Sequence, residues 1–496
     1  MKRFYLLALA ATLAFTGCKK DDSGDPRPEN LTIEKTEYAF DAVENRTATV
    51  SFSAPADWTL SVVYDDAESS ADWLTVTPAS GTAGEQTVEL SAARNFRTSD
   101  RTAYADLVCG EQSVRLTVTQ TAASEVVDFT AQFDPGFAKE LQKQGIIADA
   151  EHITPADMEK IAAMTELDVS GTYENPGTLT SLQGTEYFES LTDLDCSYNQ
   201  LTSLDVRANT ALTELYCHEN QLTSLDVRAN TALTYLYCGS NQLTSLDVRA
   251  NTALTYLSCS SNSLTTLDVS ANTALTFLMC GPNQLTELDV SRNTALTYLY
   301  CGSNQLTSLD VRANTALTLL SCSSNSLTTL DVRANTALTY LSCDSNQLES
   351  LDVSANTALT ELSCSSNSLT TLDVSANTAL TYLWCGSNQL TSLDVRANTA
   401  LTQLTCSYNQ LTELDVRANT ALTDLYCFSN QLTSLDISRN TVLTELSCSD
   451  NPGDGESTFP VTVWFDNETV PEGLNVYSSS WTYGGKTITI DFRKAE

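Results

Sequence analysis

A cysteine recurs every twenty-one residues from Cys196 to Cys448, thirteen times in all, with no insertion or deletion between copies. A period held this strictly predicts a solenoid, because one short repeat cannot bury its apolar side chains alone and must pack against its neighbours. A representative repeat runs from Leu212 to Ala232, and the next begins at Leu233. The period constrains the architecture, and it directs questions of function to the surface of the coil.

Each repeat is numbered here from its first leucine, so that Leu212 occupies position 1. Leu, Cys or Val fills positions 1, 4, 6, 11, 14 and 16 in nearly every copy. Positions 4 and 6 alternate with polar or aromatic residues, which is the period of a β-strand, and positions 14 and 16 do the same. The intervening stretches are short and rich in Thr and Asn, which leaves no room for a helix. We therefore predict two parallel sheets, back to back, with turns at the Asn positions.

The pattern L-x-x-L-x-C-x-x-N resembles the conserved segment of the leucine-rich-repeat family, and the second half of the repeat nearly copies the first. This nested form is similar to the bacterial twenty-one-residue repeats known as IRREKO, over roughly residues 165–450. The resemblance implies a recognition module for protein ligands.

The cysteines stand where most leucine-rich repeats carry Leu, and a buried thiol behaves as a small hydrophobe. Neighbouring rungs about 4.8 Å apart lie within disulfide range, but parallel side chains bridge only with distortion. One thiol per rung also differs from the tetrahedral cluster that a metal requires. We expect an inert core; partial disulfides and metal or redox chemistry are the alternatives.

The N-terminus has the form of a secretory signal. Lys2 and Arg3 precede an apolar run from Phe4 to Phe15, which predicts a signal peptide over residues 1–17. No later run approaches the roughly 18 apolar residues of a membrane span.

Gly17-Cys18 resembles the lipobox of bacterial lipoproteins, in which the Cys becomes lipid-modified and begins the mature chain. Lys19–Asp22 looks like the export signal of Bacteroidetes surface lipoproteins. Residues 18–30, charged and Pro-bearing, are then the lipid anchor and tether. The resemblance implies attachment to the outer membrane through Cys18, facing the cell surface. An ordinary secreted protein is the alternative.

Residues 31–122 differ from the repeats and predict a small Ig-like β-sandwich. Short alternating segments are separated by Gly- and Pro-containing turns; they are Thr49–Phe52, Trp58–Val62, Thr87–Leu90 and Val114–Val118.

The segment Ala71–Gly84 of this region resembles the BACON domain family, whose name implies carbohydrate association. Trp73 opens a strand beside Leu74, which favours a core position over a sugar platform. We interpret the domain mainly as a spacer.

The solenoid needs covers at both ends. Residues 125–165 show helical spacing, with Thr154 and Pro155 as a helix start, and resemble the helical cap of internalin-like proteins. The repeats then occupy residues 166–450, starting with a degenerate copy. Residues 451–496 predict a β cap, with strands at Val461–Trp464, Leu474–Val476 and Thr487–Ile490. The fold class is therefore mostly β: a sandwich, then a leucine-rich-repeat solenoid with a helical N-cap and a β C-cap.

The formal net charge of −36 argues against nucleic acid and anionic membranes as partners. Twelve Asp residues recur at position 15, from Asp205 to Asp436, and an Arg follows two residues later in seven copies. We expect a solvated charge lattice in which each Arg neutralises its neighbours diagonally. A divalent cation near Asp268 and Asp289, where Arg is missing, is the alternative.

No catalytic motif is present. The chain has two histidines, His152 and His218, with no neighbouring nucleophile, and it lacks H-E-x-x-H, G-x-S-x-G and phosphate-loop patterns. We predict a protein that is not an enzyme and uses no cofactor or metal; the segment around Asp149 also lacks a calcium-loop pattern.

Outward positions 3 and 5 carry the candidate ligand-binding residues. Position 7 is mostly Gly or Ser, which leaves these aromatic side chains accessible. Tyr and Trp provide apolar area with a polar handle, as interfaces require, although a self-stacking ladder that stiffens the sheet is the alternative. The predicted site comprises Tyr216, Tyr235, Tyr237, Tyr256, Phe277, Met279, Tyr298, Tyr300, Tyr340, Tyr382 and Trp384.

The sequence thus favours a monomeric, lipid-anchored surface protein that binds a protein ligand on this aromatic row, as an adhesin does. A glycan-binding accessory protein of a polysaccharide-utilisation system and a structural spacer are the two alternatives. The scarcity of Trp along the row disfavours a polysaccharide platform.

Overall fold

The computed structural model describes residues 28–43, 45–64, 73–123, 128–465, 470–471 and 473–495. The chain divides into two compact units, Met1–Val126 and Val127–Glu496. The predicted signal peptide and Cys18 lie outside the described residues. Within the described ranges, no helix has the length and apolar character needed to cross a membrane.

The first unit contains nine strands: β1 (Thr32–Ile33), β2 (Glu37–Phe40), β3 (Thr47–Ala54), β4 (Trp58–Tyr64), β5 (Leu74–Thr77), β6 (Ser80–Gly81), β7 (Gly84–Ala92), β8 (Arg101–Cys109) and β9 (Gln112–Gln120). They form a four-stranded sheet, in the order β1-β3-β7-β5, and a five-stranded sheet, in the order β2-β9-β8-β4-β6. All four strands predicted from alternation are present, which confirms the β domain.

The inward side chains of the two sheets make one apolar core. The rings of Phe52 and Trp58 meet edge to face, with centroids 4.9 Å apart. Trp73 is only 3% exposed, and the guanidinium of Arg101 lies 4.5 Å from its ring centroid. The prediction that Trp73 is a core residue is confirmed, because a buried and covered ring has no free face for a sugar.

The second unit begins with two helices, α1 (Pro135–Lys143) and α2 (Pro155–Ala163). Thr154 caps α2 as predicted: its hydroxyl accepts the Asp157 N–H at 3.2 Å, while the Asp157 carboxylate accepts the Thr154 N–H. Phe137 of α1 is fully buried, with its ring 6.1 Å from that of Phe188 at the start of the repeats. The helices thus cover the apolar end of the first coil.

The coil is built on strands of two or three residues: β10 (Glu166–Asp168), β11 (Asp193–Asp195), β12 (Glu214–Tyr216), β13 (Tyr235–Tyr237), β14 (Tyr256–Ser258), β15 (Phe277–Met279), β16 (Tyr298–Tyr300), β17 (Leu319–Ser321), β18 (Tyr340–Ser342), β19 (Glu361–Ser363), β20 (Tyr382–Trp384), β21 (Gln403–Thr405), β22 (Asp424–Tyr426), β23 (Leu435–Asp436) and β24 (Glu445–Ser447). All except β23 join one parallel sheet of fifteen strands, which β26 (Asn475–Val476) completes at its end. Equivalent residues pair throughout, as Tyr235 does with Tyr256.

The predicted second sheet is wrong for most of the coil. Positions 14 to 16 form no ladder until the C-terminal end, where β23 pairs with the cap and Asp415 bridges Asp436. The reason is that the alternation reports burial: Leu225 and Val227 are buried, as predicted, without backbone pairing between coils. The position-15 carboxylate bonds its own turn, also at Asp436, where a ladder forms. Asp226 Oδ1 accepts the Arg228 N–H at 3.1 Å, and Asp268 does the same for Ser270 at 3.0 Å.

The Asn residues hold the turns, as predicted. Asn220, at position 9, accepts the Leu201 N–H at 2.9 Å and donates to the carbonyls of Cys196 and Cys217 at 3.0 and 3.2 Å. Its turn needs this support, because position 8 has a left-handed backbone in most copies, with φ of 54° at Glu219.

The second Asn of the repeat, at position 19, bonds differently. Asn230 donates to the carbonyls of Val206 and Asn209, both at 2.8 Å, and so ties each coil to the one before it. Its side-chain oxygen is buried and has no hydrogen-bond partner.

The C-terminal end is closed by β25 (Thr458–Val463), β26 (Asn475–Val476), β27 (Ser480–Tyr483) and β28 (Lys486–Lys494). Three of these strands were predicted, and β27 was not. Phe459 and Trp481 pack with ring centroids 5.6 Å apart, and the Trp481 indole N–H donates to the Asn451 carbonyl at 2.8 Å. The end of the apolar core is covered as expected for a solenoid.

Candidate ligand-binding face

Each three-residue strand from β12 to β20 directs one side chain inward and two outward. The Leu at position 4 is fully buried, and most side chains at positions 3 and 5 are half-buried. Because the strands pair in register, side chains at one position form a row with a spacing of about 4.8 Å. We call the outward surface formed by positions 3 and 5 of these strands the aromatic face.

Four rings at position 3 form a continuous stack. The centroids of Tyr235 and Tyr256 are 3.9 Å apart with nearly parallel planes, and Phe277 lies 4.2 Å from both Tyr256 and Tyr298. Tyr216, from position 5 of β12, extends the stack at 4.8 Å. The rings cover one another's flat faces, so their edges and hydroxyl groups are what a ligand meets.

Tyr237 belongs to a second stack, which sequence reasoning missed. Its ring lies 3.9 Å from the His218 ring and parallel to it, and the His218 ring meets Tyr198 edge to face at 5.1 Å. A side chain at Gly239 would come within 3.0 Å of the Tyr237 ring. The absence of a side chain at Gly239 therefore leaves the space that the Tyr237 ring occupies.

Met279 and Tyr300 continue the position-5 row as half-buried side chains. Tyr216 is fixed in the same row, because its hydroxyl donates to the Glu214 carboxylate at 2.7 Å. The structure therefore brings eight of the eleven predicted residues into one patch over five neighbouring strands: Tyr216, Tyr235, Tyr237, Tyr256, Phe277, Met279, Tyr298 and Tyr300.

The three remaining predicted residues lie farther along the sheet. Leu319 separates Tyr340 from the main patch, and Glu361 separates Tyr340 from Tyr382. Tyr382 is the most exposed residue of its row, at 37%, and its ring stacks on Trp384 with centroids 5.4 Å apart.

A polar network between the two aromatic groups was also missed. Asp344, at position 7, accepts hydrogen bonds from the hydroxyls of Ser342 and Ser363 at 2.9 and 2.5 Å and from the Ser365 N–H at 2.7 Å. The sequence carried a signal, because Asp344 is the only acid at position 7 and stands among three successive serines at position 5.

Charge is segregated between the two sides of the coil. Every Arg between residues 166 and 450 stands at position 17 or 18, away from the aromatic face. Charged side chains at positions 3, 5 and 7 are all acidic, and they are Asp193, Asp195, Glu214, Asp344, Glu361, Asp424 and Glu445.

The arginines at position 17 pair within their own repeat, so the predicted diagonal arrangement is wrong. Arg312 places Nε and Nη2 on the two oxygens of Asp310, at 2.9 and 2.7 Å, and all seven such pairs share this geometry. Hydrogen bonds from Arg312 hold the pKa of Asp310 down at about 2. The two-residue separation places both side chains on one face of the chain, which favours this local fork.

The aromatic face itself stays neutral except for its carboxylates. Burial raises the pKa of Tyr235, Tyr237 and Tyr298 above the usual value of 10.0, so the phenols keep their protons. Burial also lowers the pKa of His218, which favours a neutral imidazole against Tyr237.

The cysteine ladder lies directly beneath this face. All thirteen thiols are buried and unbridged, and burial raises the pKa of Cys259 and Cys301 to about 12. A protonated and inaccessible thiol is a poor nucleophile and a poor metal ligand. The predicted burial of the cysteine rungs is confirmed, and no disulfide joins them within the residues that the structure describes.

The opposite side of the coil holds the candidate cation position. A groove of about 530 Å³ is lined by Asp268, Glu287, Asp289 and Asp310, with serines between them. Across the described residues, no three His, Cys, Asp or Glu side chains converge as metal ligands would.

Comparison with known families agrees with the two-unit division. The family model "Viral BACON domain" matches residues 30–123, and the model "Leucine Rich repeats (2 copies)" matches residues 357–398. No curated protein matches the chain.

The solved functional domain of InlJ from Listeria monocytogenes is similar over a much longer span. The identity is 38% with a TM-score of 0.58, and the alignment covers 68% of this chain and 82% of that domain, which is described as including a cysteine ladder. The chain belongs to the leucine-rich-repeat family. Its thirteen buried thiols correspond to the feature for which that structure is described.

A more distant leucine-rich-repeat structure shows the fold alone. The leucine-rich-repeat domain of APL1 is 20% identical with a TM-score of 0.50, over 64% of this chain and 89% of that one. Solenoids of this family are typical of protein-binding and adhesion domains, since their repeats create extended recognition surfaces.

Proposed function

We propose that this leucine-rich-repeat protein is a lipid-anchored cell-surface adhesin that binds a protein ligand on the aromatic face. The observation that supports a ligand is the row of half-buried aromatic rings along the outer side of the parallel sheet. A run of partly exposed rings that no described element covers is characteristic of an interaction surface.

The stacking of the rings favours protein over glycan as the ligand. Sugar rings bind on the flat face of an aromatic side chain, and the faces of Tyr235, Tyr256 and Phe277 are occupied by one another. The edges and hydroxyls that remain suit the mixed apolar and polar contacts of a protein interface. The BACON-like unit is the observation that favours the second candidate, a glycan-binding accessory protein of a polysaccharide-utilisation system.

The main patch is long enough to supply the central contacts of a protein interface. Five strands at a spacing of about 4.8 Å make it roughly 20 Å long, and neighbouring surface would complete the roughly 800 Å² that one partner contributes to a standard interface. Aromatic anchors near the centre of such interfaces typically cost about 2 kcal/mol or more on truncation.

The proposed location at the cell surface follows from the N-terminal residues. The lipobox-like Gly17-Cys18 and the following Lys19–Asp22 resemble the signals of Bacteroidetes surface lipoproteins. In this proposal the lipid on Cys18 holds the protein in the outer membrane, and the BACON-like unit separates the solenoid from it. The protein acts as a monomer without a cofactor.

The test compares two double variants of the full mature chain on an extracellular-protein array and a glycan array. Tyr237→Ala with Tyr300→Ala should abolish the protein-array signals, while Asp226→Ala with Asp289→Ala, on the opposite side, should keep them. Melting curves of both variants establish that the fold survives.

Three results contradict the proposal. Signals confined to the glycan array support the polysaccharide-utilisation candidate. An aromatic variant that folds and binds normally places the site elsewhere. Unfolding of the aromatic variant identifies these rings as purely structural.

A further inference from the structure

The aromatic face is interrupted by a run of small polar residues. Ser321, Ser342 and Ser363 occupy position 5 of β17 to β19, between Tyr300 and Trp384. Ser321 and Ser342 are each only 6% exposed. We call this part of the surface the serine gap. At about 4.8 Å per strand, its two bounding aromatic residues stand roughly 19 Å apart.

The gap contains a carboxylate held in place by neutral donors. The Asp344 side chain accepts the Ser363 hydroxyl and the Ser365 N–H on Oδ1 and the Ser342 hydroxyl on Oδ2, and Ser323 joins through Ser342 at 2.6 Å. These donors are uncharged, so they orient the carboxylate and leave its negative charge uncompensated.

A second carboxylate borders the gap. Glu361 stands at position 3 of β19, half-buried between Tyr340 and Tyr382 in the same row. Among the described residues, neither Glu361 nor Asp344 has a Lys or Arg partner, because each position-17 Arg is engaged by its own Asp on the other side of the coil. The gap therefore combines two free negative charges with aromatic side chains.

We propose that the serine gap receives an arginine-bearing basic segment of the protein ligand. The proposal rests on the protein-binding function proposed above and specifies the chemistry of its partner. Guanidinium groups of that segment pair with Asp344 or with Glu361, and a planar guanidinium face contacts the edge of Tyr340 or the free side of the Tyr382–Trp384 pair.

Arginine fits the gap better than other cations do. Its planar fork bonds carboxylates in two-point contacts, stacks on aromatic rings and is more weakly hydrated than an ammonium group. Cation–π attraction adds to this pairing, and it is stronger where water is excluded. A divalent metal ion is disfavoured because, among the described residues, no three His, Cys, Asp or Glu side chains converge as its ligands would.

The experiment measures binding of short Gly-Ser peptides, in which every third residue is Arg, Lys or Glu, to the full mature chain. Calorimetry at low salt and at about 0.3 M ionic strength separates charge-driven from other binding. We expect the affinity order Arg above Lys, no binding of the Glu peptide, and weakening with salt. Asp344→Asn with Glu361→Gln should lower the affinity for the Arg peptide about tenfold.

A charge-matched control tests whether the effect belongs to the gap. Asp268→Asn with Asp289→Asn removes the same charge from the other side and should change the affinity for the Arg peptide less than twofold. Trp384→Ala should reduce the preference for Arg over Lys. Equal losses in the two charge variants, or equal binding of the Glu peptide, overturn the proposal.

Folding and the underlying function remain separable. If Asp344→Asn destabilises the fold, Glu361→Gln alone carries the test, since Glu361 is not part of the serine network. If the unmodified chain shows no preference for the Arg peptide but gives its protein-array signals, this inference alone fails. Insensitivity of the array signals to Tyr237→Ala with Tyr300→Ala defeats the broader function.

Discussion

The cysteine residue shows how burial decides chemistry in this protein. A thiol at position 6 has the size of a small apolar side chain, and its sulfur reaches at most a backbone carbonyl, as Cys196 does to Tyr216 at 3.4 Å. Nothing nearby stabilises a thiolate, so each thiol stays protonated and unreactive.

This burial makes stability sensitive to alkali. Folding raises the pKa of Cys259, Cys301, Cys406 and Cys448 from 9.0 to about 12. Between these pH values the unfolded chain releases protons that the folded chain retains, so the stability is complete below about pH 9 and falls as the pH rises. Each buried thiol adds a slope of up to about 1.4 kcal/mol per pH unit.

We therefore expect the free energy of unfolding to fall steeply between pH 9 and pH 10, measured by urea titration at several pH values. Replacement of Cys301 and Cys406 by Val should make that slope shallower. Because the variant keeps every Tyr and Lys side chain, it separates the contribution of the thiols from that of the other groups that titrate in alkali. A slope that the Val variant leaves unchanged would contradict the role of the thiols.

At the scale of the element, the two Asn positions differ in what they contribute. Asn220 uses both its donor and its acceptor, whereas Asn230 uses its donors and leaves its oxygen without a partner. An unpaired buried oxygen carries a desolvation penalty that truncation removes.

Asn220→Ala should therefore destabilise the protein more than Asn230→Ala does. We expect about 2 kcal/mol for the former, because it orphans the Leu201 N–H while the Cys196 and Cys217 carbonyls keep donors from Asn199 and Asn241, and roughly 1 kcal/mol or less for the latter. Urea denaturation of both variants checks the order. A larger loss at Asn230 would mean that ordered water satisfies its oxygen.

The ring stack should also contribute to stability, independently of any ligand. Phe277→Ala breaks two stacked contacts and should cost about 2–3 kcal/mol, since each aromatic pair adds about 0.5–1.5 kcal/mol to the apolar area lost. Tyr300, outside the stack, serves as the matched position, and Tyr300→Ala should cost about 1 kcal/mol or less. Thermal melting compares them, and equal losses would deny the stack a stabilising role.

The sequence predicted the main elements because their signals are local and repeated. Alternation around Leu215 and Cys217 specified the strand, and Thr154 with Pro155 specified the helix start. The second sheet was mispredicted because alternation at positions 14 and 16 specifies which side chains are buried, as Leu225 and Val227 are. It does not specify whether the backbones of neighbouring coils pair there.

The site was predictable in composition and unpredictable in arrangement. The outward direction of Tyr235 and Tyr256 follows from strand period, but their parallel stacking depends on rotamers that the neighbouring rungs select together. The network at Asp344 joins side chains from three successive coils, which a reading of single repeats separates.

At the scale of the whole molecule, the proposed lipid anchor determines where the proposed binding surface is displayed. The lipobox-like Cys18 lies outside the described residues, so its modification remains a prediction from sequence. We expect Cys18→Ala to release the protein from the outer membrane into the soluble fraction, since one N-terminal lipid is the only attachment proposed.

Membrane fractionation followed by immunoblotting measures this release, and Cys109→Ala, which alters a buried thiol of the first unit, is the matched control. Retention of the Cys18 variant in the membrane would refute the anchor. Protease treatment of intact cells tests the outward orientation independently, because a solenoid facing the cell interior is protected.

The unbroken register of the coil has a consequence for how the protein diversifies. Every repeat meets its neighbours through the same Leu, Cys and Asn contacts, so in-frame gain or loss of whole repeats leaves each remaining junction intact. Recombination between copies therefore changes the reach of the ligand surface in steps of about 4.8 Å without new folding problems. The number of repeats therefore sets the length of the outward sheet surface, independently of the identity of the side chains displayed on it.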